Sequence, residues 1–386
     1  MNRIYLDNAA TTRMKEEVLQ EMLPFFRESY ANPSAIYGLA GEAKRAVRLA
    51  RERAGALIGA KPTEIYFTGG GTESDNWAIR SVAETYAEKG KHIVVSAIEH
   101  HAVLHTCKYL EKQGWAVTYL PVDAEGKVQP ETLEKAMRKD TVLVSVMAAN
   151  NEIGTIQPLT ELSRIAHEQG ALFHTDAVQA YGHIPLSVEE SGIDLLSASG
   201  HKLGGPKGVG ILYCRENLRL LPLLYGGAQE RGRRAGTLNV PGIVGFGKAA
   251  ALAGETLSER MERESALRDH LIDRVLTTVP QTRLNGHRQE RLPGNAHFCF
   301  RDIEGESLLI LLDQRGICAS GGSACTSGAT DPSHVLLAIG LSQEEARGAL
   351  RLTLSEENTV EELDEAAKAV RESVERLRRI VNQEIC

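Results

Sequence analysis

From about residue 60 to residue 215, short β-rich runs alternate with amphipathic stretches, the pattern of a mainly parallel sheet covered by helices. Seven strands are predicted, at 64–68, 92–96, 116–120, 141–147, 171–175, 193–198 and 209–213. Between the first two, Ile79, Val82, Ala83 and Tyr86 recur at the i, i+3, i+4, i+7 spacing of a helix face laid on a sheet. Near 255–265 the composition changes and a long charged amphipathic helix begins, after which the regular alternation stops, so a domain boundary is expected there. The last segment places Val360, Leu363, Ala367, Val370, Val374 and Leu377 on one helical face, and its many charges read as the solvated opposite face.

A chain of 386 residues with 42% hydrophobic and 25% charged content buries a large core, a length that usually divides into two domains. Acidic and basic residues are mixed throughout and the net charge is −7, which leaves no basic footprint for nucleic acid. The opening MNRIYLDNAATT lacks the apolar core of a signal peptide, and apolar runs such as 142–149 are too short to span a bilayer, so a cytoplasmic location without membrane association is expected. Cysteines 107, 214, 299, 318, 325 and 386 show no repeated spacing, which argues for reduced thiols over a disulfide framework or a zinc knuckle. His101 and His105 have the i, i+4 spacing of paired metal ligands but no Glu between them and no third ligand nearby in sequence, so no metal is expected.

In open α/β sheets ligands bind beyond the carboxyl ends of the strands, so the polar residues after each predicted strand belong together. They are GGGTES (69–74), EHH (99–101), ANNEIG (149–154), Asp176 with Gln179, and SGHK (199–202). The glycines of 69–74 free backbone N–H groups at a helix start, where a phosphate is favoured, and Thr72 adds a hydroxyl. Taken alone the same segment reads as a helix capped by Thr72, Lys202 as a surface charge and Asp176 as a helix cap. Convergence on one rim adds up differently: a lysine amine, a phosphate cradle and a carboxylate for a pyridine nitrogen are the parts that hold pyridoxal phosphate as a Schiff base.

In order along the chain, DNAATT, GGGTES, EHHAV, NNEIG, TDAVQA, SGHKLGGPKG, ERGRRAGTLN and SGGSACTSG resemble the cysteine desulfurases, and the long SGGSACTSG segment is most similar to their NifS/IscS branch. The resemblance runs essentially end to end. It implies an α/β fold-type-I homodimer of aspartate-aminotransferase architecture, with a large cofactor domain over 12–258 and a smaller α+β domain from 1–11 and 259–386. It implies that Lys202 carries pyridoxal phosphate, Asp176 pairs with the pyridine nitrogen, Gln179 bonds the ring hydroxyl oxygen and His100 stacks on the ring. Gly71, Thr72, Ser199, Gly200 and His201 are then expected at the cofactor's phosphate, with Thr237 reaching it from the other subunit. Asn151 and Arg351 match the groups that hold the substrate α-carboxylate, a task that suits a guanidinium fork.

The reaction so implied begins with L-cysteine displacing Lys202, which then moves the α-proton while the ring stores the electrons. Cys325, as thiolate, takes the substrate sulfur as a persulfide and alanine is released, with His100 as a proton acceptor or donor. The glycine- and serine-rich flanks of Cys325 argue against a buried, inert thiol. An iron–sulfur cluster scaffold is the expected kind of sulfur acceptor. A selenocysteine lyase or an aminotransferase would share Lys202, Asp176 and the cradle, although a transaminase needs no thiol; a non-catalytic sulfur carrier would be expected to lack Lys202 or Cys325. Departures from the family pattern stand at Gly204, Ala228 and Thr353 to Ser355.

Overall fold

The structure, a computed structural model, describes residues 3–322 and 332–384. Cys325 and Cys386 lie outside these residues. Seven strands form one sheet whose order, by first residue, is Ile65, Gly210, Leu195, Leu172, Thr141, His92, Ala116. Only Gly210–Cys214 runs antiparallel to its neighbours, so the sheet is mainly parallel as expected. His92–Ser96 and Ala116–Leu120 have the predicted bounds, whereas the predicted 171–175 and 193–198 are found as Leu172–Asp176 and Leu195–Ser199, which carries Asp176 and Ser199 onto the last strand positions.

Helix Gly71–Thr85 lies on the sheet with Ile79, Val82 and Ala83 buried, as their spacing requires. Trp77 anchors it: the indole is wholly buried, donates to Leu221 O at 2.7 Å, and meets the Tyr66 ring edge-on at 5.6 Å. Trp77→Ala would leave a cavity between helix and sheet, and chemical denaturation is expected to show a loss of about 3–5 kcal/mol.

Beyond residue 256 the long helix Leu257–Thr278 and the final helix Val360–Glu384 pack over a three-stranded antiparallel sheet in which Asn295–Phe300 lies between Thr282–Asn285 and Ala349–Thr353. Leu363, Ala367, Val370 and Val374 are buried as the final helix's stripe predicts, while Val360 at its start is 43% exposed. Their apolar cluster also takes in Leu6 from the chain start, next to strand Ile4–Tyr5, which pairs in parallel with Ile317–Cys318. Cys299 is buried in the antiparallel sheet and Cys318 half-buried. No helix among the described residues is long and apolar enough to cross a membrane.

Candidate functional site

The parallel strands deliver their carboxyl ends to one edge of the sheet, and the segments singled out in sequence follow there. Gly70, not Thr72, precedes the first helical residue; its φ of 147° lies in a region that suits glycine. A Cβ on Gly71 would come within 2.5 Å of Val178 Cγ2, so only glycine lets the helix start sit this close to the segment after Asp176. Gly71, Thr72, Ser199 and His201 line an open cleft of about 870 Å³ together with Lys207 and Asn76. The first-turn N–H groups of a helix have no intrahelical acceptor, so this cleft meets a donor-rich end. His201 is pushed down to about 4 by burial and by Lys202 and Lys207, hence is neutral at pH 7. Gly200 is brought to the same turn, but its N–H is bonded to Val209 O at 3.0 Å, and a Cβ there would meet Pro206 O at 2.9 Å and Phe246 Cδ2 at 3.1 Å. Thr237 is exposed and is not among the residues lining the cleft.

Lys202 Nζ donates to the carbonyls of Ala9 at 2.6 Å and Ala10 at 2.9 Å. Gln179 Nε2 donates to the same Ala9 carbonyl at 3.0 Å. Asp176, 5% exposed, is no helix cap; one carboxylate oxygen accepts from Val178 N at 2.9 Å. Burial raises its pKa, while His100 and Lys202 pull it back. His100 caps helix His101–Lys112 by accepting from Ala102 N through Nδ1 at 3.1 Å, which puts the proton of its neutral form on Nε2. Ligand atoms of His100, Asp176 and Asp75 lie within 4.8 Å of one another.

Arg351 is 2% exposed, in strand Ala349–Thr353. Its guanidinium donates to Asp7 Oδ1 at 2.9 Å, to Asn151 O at 2.9 Å and to Gly322 O at 3.2 Å. Asp7 and Ala9 are two residues apart, a span of at most about 7 Å of chain, so one short segment ties Arg351 to Lys202. Thr353 holds that segment: its hydroxyl accepts from Ala9 N and its carbonyl from Asn8. Thr353 is one of the departures from the family pattern, yet Arg351 is fully enclosed beside it. Gly204, another departure, has φ +76°, and a Cβ there would reach 2.8 Å from the Lys15 side chain, so a larger residue would have to displace Lys15.

The sequence reading missed Asp7, Ala9 and Ala10, whose roles are made by contacts across about 200 to 350 residues. It also missed Asp75, although a signal existed: Asp75 precedes Ile79 by four positions and Val82 by seven, on the buried stripe of its helix. Beside His101 and His105, whose rings stack at 4.9 Å, His334 supplies a third imidazole at 4.9 Å from His101.

A smaller hollow next to Lys202 is lined by Lys15, His183, Arg260, Glu264 and Glu356. Burial pushes the Glu264 carboxyl up to about 7, partly offset by Arg260 at 4.0 Å. A carboxyl whose folded pKa is raised favours folding most below its unfolded value, and that contribution is lost as pH rises through the folded value. Relative to Glu264→Gln, the wild-type chain should therefore lose up to about 3 kcal/mol between about pH 4.5 and about pH 7. Paired urea titrations across that range measure it; a constant difference would show that Glu264 ionises normally.

A family model for class-V aminotransferases matches residues 4–365. The chain is 54% identical over 375 residues to the cysteine desulfurase IscS of Methanosarcina thermophila, covering 97% of this chain and 93% of that one. Among solved structures, a NifS-like protein is similar at a TM-score of 0.91 and 42% identity, covering 97% of this chain and all of that one. SspA in complex with cysteine is similar at 0.82 and 37%, covering 93% of this chain and all of that one. The chain belongs to the class-V aminotransferase family of pyridoxal-phosphate-dependent enzymes, in its cysteine desulfurase branch.

Proposed function

We propose that this chain binds pyridoxal phosphate at the carboxyl rim of its sheet and converts L-cysteine and its own Cys325 thiol into L-alanine and a Cys325 persulfide. The balance closes without an outside oxidant, because the sulfur leaves one thiol as it joins another. The convergence of Lys202, Asp176, Gln179 and the helix start at Gly71 on one rim, with Arg351 tied to it through Asp7 and Ala9, carries the reading. The donor set fits the cofactor: N–H groups, the Ser199 hydroxyl and neutral His201 for a phosphate, a buried carboxylate for a ring nitrogen, and an amine for an aldehyde. When bound, the cofactor supplies an electron sink for the bonds around the substrate α-carbon.

The protein's own groups do the rest. Asp176 would pair with the ring nitrogen and favour its protonated form, and His100, whose Nδ1 is fixed by Ala102 N, would offer its imidazole to the ring and Nε2 for proton exchange. Lys202 would hold the cofactor and, with substrate bound, would move the α-proton; the Ala9 and Ala10 carbonyls accept from its amine. Arg351 and Asn151 receive the substrate carboxylate. Cys325 attacks as thiolate and keeps the sulfur. The complex of the similar SspA with cysteine favours the same substrate here.

The same reading extends to a homodimer in which Thr237, exposed in its own chain, serves the partner's cradle, and to delivery of the sulfur to an acceptor such as an iron–sulfur scaffold. It takes 12–258 as the cofactor domain and 1–11 with 259–386 as the small domain, supported by Leu6 joining the apolar cluster of the later helices. Incubation of purified protein with L-cysteine should give alanine and stoichiometric protein-bound persulfide, and Cys325→Ala should give neither in multiple turnover. Yellow protein that yields no persulfide would overturn the desulfurase reading and direct testing to selenocysteine and amino-group acceptors.

A further inference from the structure

We propose that Asp75 is a positioning residue of this site: a buried, protonated carboxylic acid lodged beside Asp176, so that Asp176 bears the only charge of the pair. The proposal deepens the function above, in which Asp176 faces the ring nitrogen.

Asp75 lies on the inner face of helix Gly71–Thr85 and is 1% exposed. One of its oxygens has no hydrogen-bond partner, and the side chain bonds the Ser197 hydroxyl. An ionised carboxylate in such a place would leave one charged oxygen without a donor and set a second negative charge within 4.8 Å of Asp176. Besides His100, within 4.8 Å, a basic group at Asp75 is His174, whose Nε2 is 3.7 Å from Asp75 Oδ1. That imidazole is held between the hydroxyls of Ser145 at 2.8 Å and Ser197 at 3.1 Å, and burial pushes it down to about 3, so it is neutral and offers Asp75 no counter-charge. Glu99, the other acid nearby, is itself pushed up to about 8 by burial.

Asp176 is buried too but differs in its partners. It accepts the Val178 N–H and lies in the fields of His100 and Lys202. Two carboxyl groups this close do not both ionise readily, and the one with donors and cations around it keeps the charge while the other keeps the proton. Burial and the Asp176 charge both raise the Asp75 pKa, in agreement with the geometry. A neutral Asp75 fills the space behind Asp176, excludes water there and leaves the opposing charge undivided.

Infrared spectroscopy of the full-length protein, with aspartate isotope-labelled at the side-chain carboxyl carbon, reads this directly and separates Asp75 from Glu99. Near neutral pH a protonated aspartate stretch is expected, lost in Asp75→Asn and kept in Asp176→Asn. In the cofactor-loaded protein, Asp75→Asn, which replaces a neutral acid by a neutral amide, should move the pH midpoint of the visible absorbance by less than about 0.3 unit, whereas loss of a real charge would move it by about one unit or more. Absence of a protonated aspartate band, or a midpoint shift of the larger size, overturns the proposal. Should Asp75→Asn fail to fold, the band in the labelled wild-type chain still decides whether a protonated aspartate exists. Failure to bind cofactor would sink the functional reading and leave the infrared result standing, so the two failures are distinguishable.

Discussion

Lys202→Ala is expected to lower alanine formation from L-cysteine by at least about 10³-fold, because the side chain serves two steps that no neighbour duplicates. In the proposed function it is the amine that would hold the cofactor and the base that would move the α-proton. His100 is fixed by its cap bond to Ala102, and His201 is neutral and turned to Thr11 at 3.2 Å, so neither is free to take over the amine's covalent task. Borohydride reduction of the wild-type protein should fix cofactor to the Lys202 peptide, and the same treatment of Lys202→Ala should leave the peptide unmodified. Folding should survive, since the side chain is half-buried and its hydrogen bonds to Ala9 and Ala10 are each of modest net worth. Cofactor fixed to another lysine in the wild type, or near-normal alanine release by the variant, would remove Lys202 from the centre of the mechanism.

The sheet was legible because its strands, buried apart from the half-buried edge strand Ala116–Leu120, read as short β-rich runs bounded by glycine and polar turns. His92–Ser96 and Ala116–Leu120 stand where that signal placed them. The ends drifted by one or two positions where a polar residue continues the strand, as Asp176 and Ser199 do, since alternation gives no stop signal at a functional strand end. Most rim residues were legible for the complementary reason that they end a strand or come within a few residues of its end, as Asp176, Gln179, Ser199 and Lys202 do.

What stayed hidden were partners that arrive from far along the chain. Asp7 reads as one acid in a polar opening segment, and only the fold sets it 2.9 Å from Arg351. Asp75 sits on a buried stripe, but an acid near the start of a helix, just after Glu73 in the first turn, is ordinarily explained by the helix dipole, and that local rule masks the periodicity. Taken alone, 69–74 reads as a helix capped by Thr72, because a hydroxyl is the usual capping group; Gly70 holds that position, where the chain passes through a positive φ.

Arg351→Ala should cost about 2–5 kcal/mol in kcat/KM for L-cysteine, the usual size for removing one partner of a buried, hydrogen-bonded charge pair. Part of that loss has nothing to do with substrate: Asp7 would lose its guanidinium, and the carbonyls of Asn151 and Gly322 would lose their donor. Substrate choice separates the two contributions. Cysteamine is L-cysteine without the α-carboxylate, so the wild-type protein should discriminate strongly between them while Arg351→Ala should treat them nearly alike. Arg351→Lys should fall between, because an ammonium restores the charge but not the planar fork that grips two carboxylate oxygens while still reaching Asp7. A purely structural Arg351 would lower turnover of both substrates by the same factor in both variants and leave their ratio unchanged, and that outcome would move the carboxylate contact to another group at the rim.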